Sequence, residues 1–173
     1  MNIEIRQEKT SDYTDVFILN KNVFGRENEA MLVNALRDSD AFTPELSLVA
    51  IHNSKIVGHI LFTKVVIKNE RSRSVQSLSL APMAVDQALQ NQGIGSLLVN
   101  YGLEKAGELG YRSVIVLGHD YYYPRFGFRP ASQWGIKAPF DVPDNVFMAL
   151  ELVKNSLEGI NGTVKYPEEF ESV

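Results

Sequence analysis

Cysteine is absent from the 173-residue sequence, and this absence excludes three kinds of chemistry. No disulfide bond can brace the fold, and no metal site can use thiolate ligands. A cysteinyl thioester intermediate is also excluded, because no thiol exists to carry an acyl group. The three histidines, His52, His59 and His119, are scattered without the spacing of metal ligands, so we expect no metal site.

Positive charge is also scarce, since 17 lysines and arginines face 21 acidic residues and the formal net charge is -4. Binding nucleic acid by general electrostatics requires a basic face that displaces counterions, so we expect no nucleic-acid partner. No segment approaches the roughly 18 consecutive apolar residues of a membrane span. The first residues lack the basic-then-apolar pattern of a signal peptide. We therefore expect a soluble, cytoplasmic protein without a membrane partner.

The composition that remains is that of an ordinary globular protein, with 45% hydrophobic and 22% charged residues. The length suits one domain with a sizeable core. No repeat, low-complexity tract or linker-like change of composition divides the chain. We therefore expect residues 1–173 to form a single domain.

The spacing of apolar residues predicts an alternation of strands and helices. Helices are expected over about 12–19, 27–37 and 93–109, the first capped by Ser11 or Asp12 and the third ended by Gly110. Strands are expected over 3–5, 47–51, 55–67, 75–85, 114–117 and 147–152, with a hairpin turn at 52–54. The run 114–117 is wholly apolar, as in a covered central strand. This order of elements indicates an α/β or α+β fold around one main sheet.

A loop with two glycines leads from the strand ending at Val85 into the third predicted helix. Its sequence is Gln90-Asn91-Gln92-Gly93-Ile94-Gly95, followed by Ser96. Glycine lets the backbone approach a ligand closely, and the first N–H groups of a helix have no acceptor within the helix. Such a loop can therefore bind an anion without any basic side chain.

Two well-known phosphate-binding patterns do not fit this loop. In a Walker A loop, four residues would separate Gly93 from a Gly-Lys pair, but at those two positions the sequence has Leu98 and Val99. A dinucleotide fingerprint would require a third glycine at Leu98. The loop alone leaves two interpretations open, namely the pattern Gln/Arg-x-x-Gly-x-Gly/Ala or a structural turn into a helix.

The pattern Gln90-x-x-Gly93-x-Gly95 resembles the pyrophosphate loop of the GNAT N-acetyltransferases, which follows the fourth strand of their sheet. A second signature of that family, Tyr-x-x-x-Gly-Phe, is present as Tyr123-Pro124-Arg125-Phe126-Gly127-Phe128. Two motifs in the right order are much more specific than either alone. The resemblance extends over nearly the whole chain to the YhbS-like branch, through residues 58–62, 80–85, 117–119, 147–152 and 162–167 and through Phe170. One departure is Gln87, where many GNAT proteins carry proline.

The resemblance implies the GNAT fold, a mixed twisted sheet that splays after its fourth strand and is flanked by about four helices. It also implies acetyl-CoA as the co-substrate. The backbone of the splayed strand would pair with the pantetheine, and the glycine loop would hold the pyrophosphate. The cofactor-binding residues implied are Met83, Ala84, Val85, Gln90, Asn91, Gln92, Gly93, Ile94, Gly95, Ser96 and Tyr123.

Tyr123 occupies the position of the GNAT tyrosine that protonates the departing CoA thiolate. A phenol with a pKa near 10 is protonated at neutral pH and can serve as this donor. Packing is the alternative role for Tyr123, and packing or lining the acceptor pocket is the expected role of Tyr121 and Tyr122. Glu29 and His119 are the candidates for the base that receives the proton of the amine.

Without a cysteine or a Gly-x-Ser-x-Gly motif, direct transfer within a ternary complex is the expected mechanism. We therefore expect an N-acetyltransferase that acts on a primary amine of a small molecule or peptide. Residues 27–45 and 132–144 are expected to shape the acceptor pocket. The alternative hypothesis is a non-catalytic module that binds acyl-CoA as a sensor or regulator. Family resemblance makes a homodimer an additional expectation.

Overall fold

The computed structural model describes residues 1–71 and 73–172 of the chain. Within these residues there are three α-helices: α1 Tyr13–Phe24, α2 Asn28–Arg37 and α3 Ile94–Glu108. Nine strands are described: β1 Glu4–Gln7, β2 Ser47–His52, β3 Lys55–Lys68, β4 Ser74–Val85, β5 Ser113–Leu117, β6 Arg129–Pro130, β7 Ile136–Lys137, β8 Phe147–Glu151 and β9 Gly162–Lys165. The strands follow the order β1-β2-β3-β4-β5-β8-β6, and β9 pairs with β3 and with β7.

The sheet is mixed, as the sequence predicts. β5 pairs in parallel with β4 and antiparallel with β8. The pairing of β4 with β5 joins Leu78 to Val114 and Ser79 to Ile115, whereas β4 itself runs on to Val85. The described pairing of β4 with β5 therefore ends at Ser79, before the last residues of β4.

The chain divides into two compact units. Unit 1 comprises Met1–Thr63, Ala81–Lys105 and Glu168–Val173, and unit 2 comprises Lys64–Leu80 and Ala106–Pro167. The core of unit 1 contains residues of α1, α2, β2 and β3: Val16, Leu32, Val33, Leu36, Val49 and Leu61. The core of unit 2 is formed mainly by strand residues: Val65, Ile67, Ile115, Ala131, Ile136, Phe147, Ala149, Leu157 and Val164.

Local sequence explains the turns of unit 1. Asn53 and Ser54 have φ angles of 49° and 62°, which are the left-handed conformations that a two-residue hairpin turn requires. The predicted hairpin between β2 and β3 is thereby confirmed. α1 ends at Gly25, which has a φ of 70° and donates its N–H to the carbonyl of Lys21 over 2.9 Å.

Three expectations about the elements need correction. The helix count is three in the described residues rather than about four, and residues Tyr123–Phe126 form a short 3-10 helix that ends at the left-handed Gly127. Asp12 is at the predicted N-cap position of α1, but its side chain makes no capping hydrogen bond, because the carboxylate accepts from Arg6 and from the N–H of Lys9. In β5, Val114–Val116 are buried whereas Leu117 is 46% exposed.

No helix in the described part of the chain is long and apolar enough to cross a membrane. Among residues 1–71 and 73–172, no group of three histidine, aspartate or glutamate side chains is placed to hold a metal ion.

Candidate active site

The loop between β4 and α3 belongs to unit 1 and is braced by its own hydrogen bonds. The N–H of Asp86 donates to the carbonyl of Val57 in β3 over 2.8 Å, which fixes the point where β4 ends. The Asp86 carboxylate accepts from the N–H of Ala88 over 2.9 Å, and the N–H of Leu89 donates to the Asp86 carbonyl over 2.8 Å. These bonds build a short 3-10 turn over Gln87–Leu89 inside the predicted loop.

The second half of this loop turns its backbone towards solvent. Asn91 and Gly93 have φ angles of 62° and 90°, and residues 90–93 are exposed. A Cβ added at Gly93 would meet nothing within 4 Å, so glycine is needed there for its conformation rather than for space. The Gln90 amide donates to the carbonyl of Val85 over 3.0 Å, so this side chain closes the loop.

The N-terminus of α3 follows this loop at once. Its first hydrogen bond with a loop residue joins the N–H of Leu97 to the carbonyl of Gly93 over 3.1 Å. The preceding N–H groups, those of Ile94 and Gly95, have no acceptor one turn earlier in the helix. Together with the helix dipole they form an arrangement that suits a phosphate anion.

Unit 1 also places the other site residues predicted within it. Met83, Ala84 and Val85 are the last residues of β4 and lead directly into the loop. Glu29 lies in the first turn of α2 and is only 7% exposed. The Arg26 side chain donates from Nε to both Glu29 carboxylate oxygens over 2.6 and 3.0 Å, so this carboxylate is held in an ion pair.

Tyr123, in unit 2, is 8% exposed and its ring is enclosed by other aromatic rings. Tyr122 meets it edge-on with centroids 5.1 Å apart, and Phe128 does so at 5.7 Å. Burial, assisted by the neighbouring Tyr122, raises the pKa of the Tyr123 phenol well above its ordinary value. The phenol is therefore protonated throughout the neutral range, which is the form a proton donor requires.

Sequence reasoning did not foresee how Gly118 positions Tyr123. A Cβ at Gly118 would lie 2.3 Å from Cε2 and 2.8 Å from Cδ2 of the Tyr123 ring. Only glycine leaves room for the ring at this place. The resemblance through residues 117–119 marked Gly118, but nothing in the sequence indicates which ring it contacts.

His119 lies beside Tyr123 along the chain, and the structure brings their backbones together. The carbonyl of His119 accepts from the N–H of Tyr123 over 3.3 Å and from that of Tyr122 over 3.1 Å. The imidazole is exposed and stacks on Tyr121, with centroids 5.0 Å apart. Tyr121 is 74% exposed, so it is not the packing residue that the sequence suggested as one of its roles.

Comparison with known proteins places this geometry in a family. The model of the acetyltransferase (GNAT) family matches residues 4–128, a range that takes in residues of both units. Two Escherichia coli proteins are similar. The uncharacterized N-acetyltransferase YjhQ is 40% identical over 135 residues, which cover 78% of this chain and 74% of that protein. The uncharacterized N-acetyltransferase YhbS is 32% identical over 167 residues, which cover 96% of this chain and 97% of that protein.

Two solved structures share the fold over almost the full length. The crystal structure of Escherichia coli YhbS in complex with CoA matches with a TM-score of 0.90 at 31% identity, covering 99% of this chain and 93% of that one. A GNAT family acetyltransferase from Brucella melitensis in complex with acetyl-CoA matches with a TM-score of 0.80 at 29% identity, covering 98% of both chains. The predicted fold is thereby confirmed, and this chain belongs to the GNAT family of acyltransferases.

Proposed function

We propose that this chain transfers an acetyl group from acetyl-CoA directly to a primary amine of a small molecule or peptide, in a ternary complex and in the cytoplasm. We further propose that residues 1–173 act as one acetyltransferase domain. The observation that carries the proposal is the exposed, left-handed backbone of Asn91 and Gly93 immediately before the N-terminus of α3. The similar structures that contain CoA or acetyl-CoA support the choice of co-substrate.

In this proposal the backbone at the end of β4 presents the thioester. The residues concerned, Met83–Val85, lie beyond the pairing of β4 with β5. Pro82 has no N–H, so the donor that polarises the thioester carbonyl is the N–H of Met83 or of Ala84. The pyrophosphate is assigned to the N–H groups of residues 92–96.

The reaction then follows from direct attack. The neutral amine nitrogen bonds to the carbonyl carbon, and the C–S bond breaks as the tetrahedral intermediate collapses. The sulfur leaves as a thiolate and takes a proton, which we assign to the Tyr123 phenol. Its aromatic neighbours hold the ring and so fix the position of the phenolic oxygen.

The proton lost by the amine goes to a base, for which Glu29 and His119 are the proposed candidates. Glu29 is buried and paired with Arg26, whereas the His119 imidazole is exposed. If His119 is the base, His119→Gln lowers turnover and Glu29→Gln does not. The converse result would assign the role to Glu29. Wild-type turnover in both variants would exclude both residues.

The cofactor assignment is tested by calorimetric titration with acetyl-CoA. Gly93→Ala forces an alanine to a φ of 90° and displaces the N–H groups around it. We expect the affinity to fall about tenfold or more, because hydrogen bonds to a charged group are worth about 1.5–3 kcal/mol. Gly25→Ala is the matched control, since Gly25 has a φ of 70° and equally open surroundings at the end of α1. Both variants should lose about 1–2 kcal/mol of stability, but only Gly93→Ala should weaken binding.

A screen for CoA thiol release tests catalysis separately from binding. The panel comprises polyamines, aminoglycosides, amino acids and peptides with free N-termini. Release above the rate of acetyl-CoA hydrolysis with at least one amine is the expected result. Tight acetyl-CoA binding without release across the panel would favour the sensor or regulatory module instead. Absence of acetyl-CoA binding would contradict both functions.

A further inference from the structure

A cleft of about 730 Å³ lies in unit 2, where the turn between β3 and β4 is close to β7 and β9. Four cationic residues line it, Lys68, Arg71, Arg73 and Lys137, together with the single carboxylate of Glu70. The lining thus carries a formal charge of +3, whereas the whole chain carries -4. We call it the basic cleft.

Strand register fixes the centre of the basic cleft. Thr163 of β9 is directly opposite Lys68 of β3 on one side and Lys137 of β7 on the other. Because successive strand residues alternate between faces, these three share the face opposite to the buried Val164. With neighbouring strands about 4.8 Å apart, the backbones of the two lysines lie roughly 10 Å apart.

The turn that carries the arginines is also shaped by specific bonds. The Oδ1 atom of Asn69 accepts from the N–H groups of Arg71 and Arg73, each over 3.0 Å. The N–H of Asn69 donates to the carbonyl of Arg73 over 3.0 Å. At the base of the cleft, a Cβ on Gly162 would lie 2.5 Å from the Lys68 carbonyl oxygen, so the two backbones are in close contact.

None of these four cations is in an ion pair with any residue that the structure describes. All four are exposed, and their mutual repulsion is relieved most directly by an anion that contacts several of them. Arginine suits phosphate because its planar guanidinium donates two parallel hydrogen bonds. Asn161 and Thr163 add neutral hydrogen-bonding groups that suit hydroxyls.

The lining also limits the kind of ligand. It contains no aromatic side chain among the described residues, so nothing in it can stack on a nucleotide base. The volume is within the range of small-molecule sites. We propose that the basic cleft binds a compact, hydrophilic compound with two or more phosphoryl groups. This proposal does not depend on the acetyltransferase activity.

Calorimetric titration of the full chain at low salt tests this proposal with two compounds, inorganic tripolyphosphate and fructose 1,6-bisphosphate. The compound that binds more tightly shows whether the cleft prefers phosphoryl groups of an inorganic polyphosphate or of a sugar phosphate. Each titration is run with and without saturating acetyl-CoA, because a phosphate compound could also enter the proposed pyrophosphate loop. Binding that persists with acetyl-CoA present is expected.

Two charge reversals locate the site. Lys137→Glu removes one favourable contact and adds a repulsive one, and we expect it to weaken binding about tenfold. Lys154→Glu is the control, since Lys154 is exposed in the same unit and does not line the cleft. Equal effects of the two variants would overturn the proposal, as would complete competition by acetyl-CoA or no binding of either compound at millimolar concentration. Acetyl-CoA binding is measured separately, so failure of either proposal is recognised by itself.

Discussion

At the scale of a single residue, Tyr123 is held by the close packing of its aromatic ring. Its ring lies against Gly118 at a distance that excludes any Cβ, and Tyr122 and Phe128 contact its other sides. Because the ring is only 8% exposed and is contacted on several sides, a larger residue at position 118 would force it out of its packed position. This packing therefore fixes the position of the phenolic oxygen, which is what a positioned proton donor needs.

Replacing Tyr123 by phenylalanine removes the proton donor and keeps the ring. If the phenol protonates the thiolate, Tyr123→Phe should lower kcat about 100-fold, the lower range for general acid catalysis, with acetyl-CoA affinity nearly unchanged. Steady-state kinetics of thiol release and calorimetry measure the two quantities. Tyr101→Phe is the control, because Tyr101 is 39% exposed on α3 and has no proposed role in the site, so this variant should lose no activity. Gly118→Ala keeps the hydroxyl but displaces the ring, so it should also reduce kcat. Wild-type turnover in Tyr123→Phe would reject the assignment.

At the scale of the elements, helix α3 depends on one glycine for its packing and not on another. A Cβ added to Gly102 would lie 2.2 Å from Cε1 and 2.6 Å from Cζ of Phe62, a fully buried ring on β3. A Cβ added to Gly107, five residues later on the same helix, would meet nothing within 4 Å. Position 102 therefore needs glycine for space, whereas at position 107 glycine only costs the helix conformational entropy.

Alanine at these two positions should change stability in opposite directions. Gly102→Ala overpacks the contact with Phe62 and should lower the free energy of unfolding by about 1–3 kcal/mol. Gly107→Ala improves helix propensity without a clash and should raise it by about 0.5–1 kcal/mol. Urea unfolding of the two variants against the parent chain measures both changes. A stabilised Gly102→Ala variant would show that α3 and Phe62 are not in such close contact.

The long elements could be predicted from the sequence, whereas the shortest ones could not. The helix predicted over 93–109 and the strand predicted over 114–117 agree closely with α3 and β5, because long periodic or wholly apolar runs leave little choice. β6 and β7 were not predicted, since strands of two residues have no period and exist only through their partners β8 and β9. Asp12 is at the N-cap position of α1 as predicted, but its side chain does not cap the helix because the carboxylate binds Arg6, six residues earlier. The glycine loop was recognisable by its motif, whereas the contact of Gly118 with Tyr123 depends on tertiary packing.

At the scale of the whole molecule, a buried chain of polar groups links the first strands and helices of unit 1. Arg37 at the end of α2 forms an ion pair with the Glu8 carboxylate, which also accepts from Ser47 Oγ over 2.7 Å. Ser47 Oγ is 3.1 Å from His59 Nε2, and the Asn20 amide nitrogen is 3.4 Å from His59 Nδ1. His59 is therefore a buried histidine of β3 with a polar partner at each ring nitrogen.

These contacts fix the protonation of His59. Ser47 Oγ donates its single proton to the Glu8 carboxylate. The hydroxyl oxygen must therefore accept a hydrogen bond from Nε2–H of the imidazole. Nδ1 is then the acceptor that faces the Asn20 amide donor. A second proton on His59, at Nδ1, would place this N–H donor against the N–H donor of the Asn20 amide. The ring is fully buried, and burial, aided by the charge of Arg37, lowers the pKa of His59 to about 3.

This lowered pKa makes the stability of the protein depend on pH in one direction. The unfolded chain takes up a proton on His59 below the ordinary value of about 6.5, whereas the folded chain does so only near 3. Between these values the unfolded state binds more protons, so stability falls as the pH falls, by up to about 1.4 kcal/mol per pH unit. Above pH 6.5 His59 is neutral in both the folded and the unfolded state, so it adds no further pH dependence to the stability.

Urea unfolding of His59→Gln and the parent chain at pH 7 and pH 4.5 isolates this effect from that of the carboxylates. Glutamine can still offer an N–H to Ser47 Oγ but does not titrate. Between pH 7 and pH 4.5 the free energy of unfolding of the variant should therefore fall by about 2–3 kcal/mol less than that of the parent chain. His52→Gln is the control, because His52 is hydrogen-bonded to the exposed carbonyl of Asn2 and the exposed side chain of Asn53 and lies outside the buried polar chain of His59. Equal losses in His59→Gln and the parent chain would mean that His59 is charged in the folded protein. The donor from Nδ1 would then need an acceptor, and the Asn20 amide would have to turn its unpaired Oδ1 towards the ring.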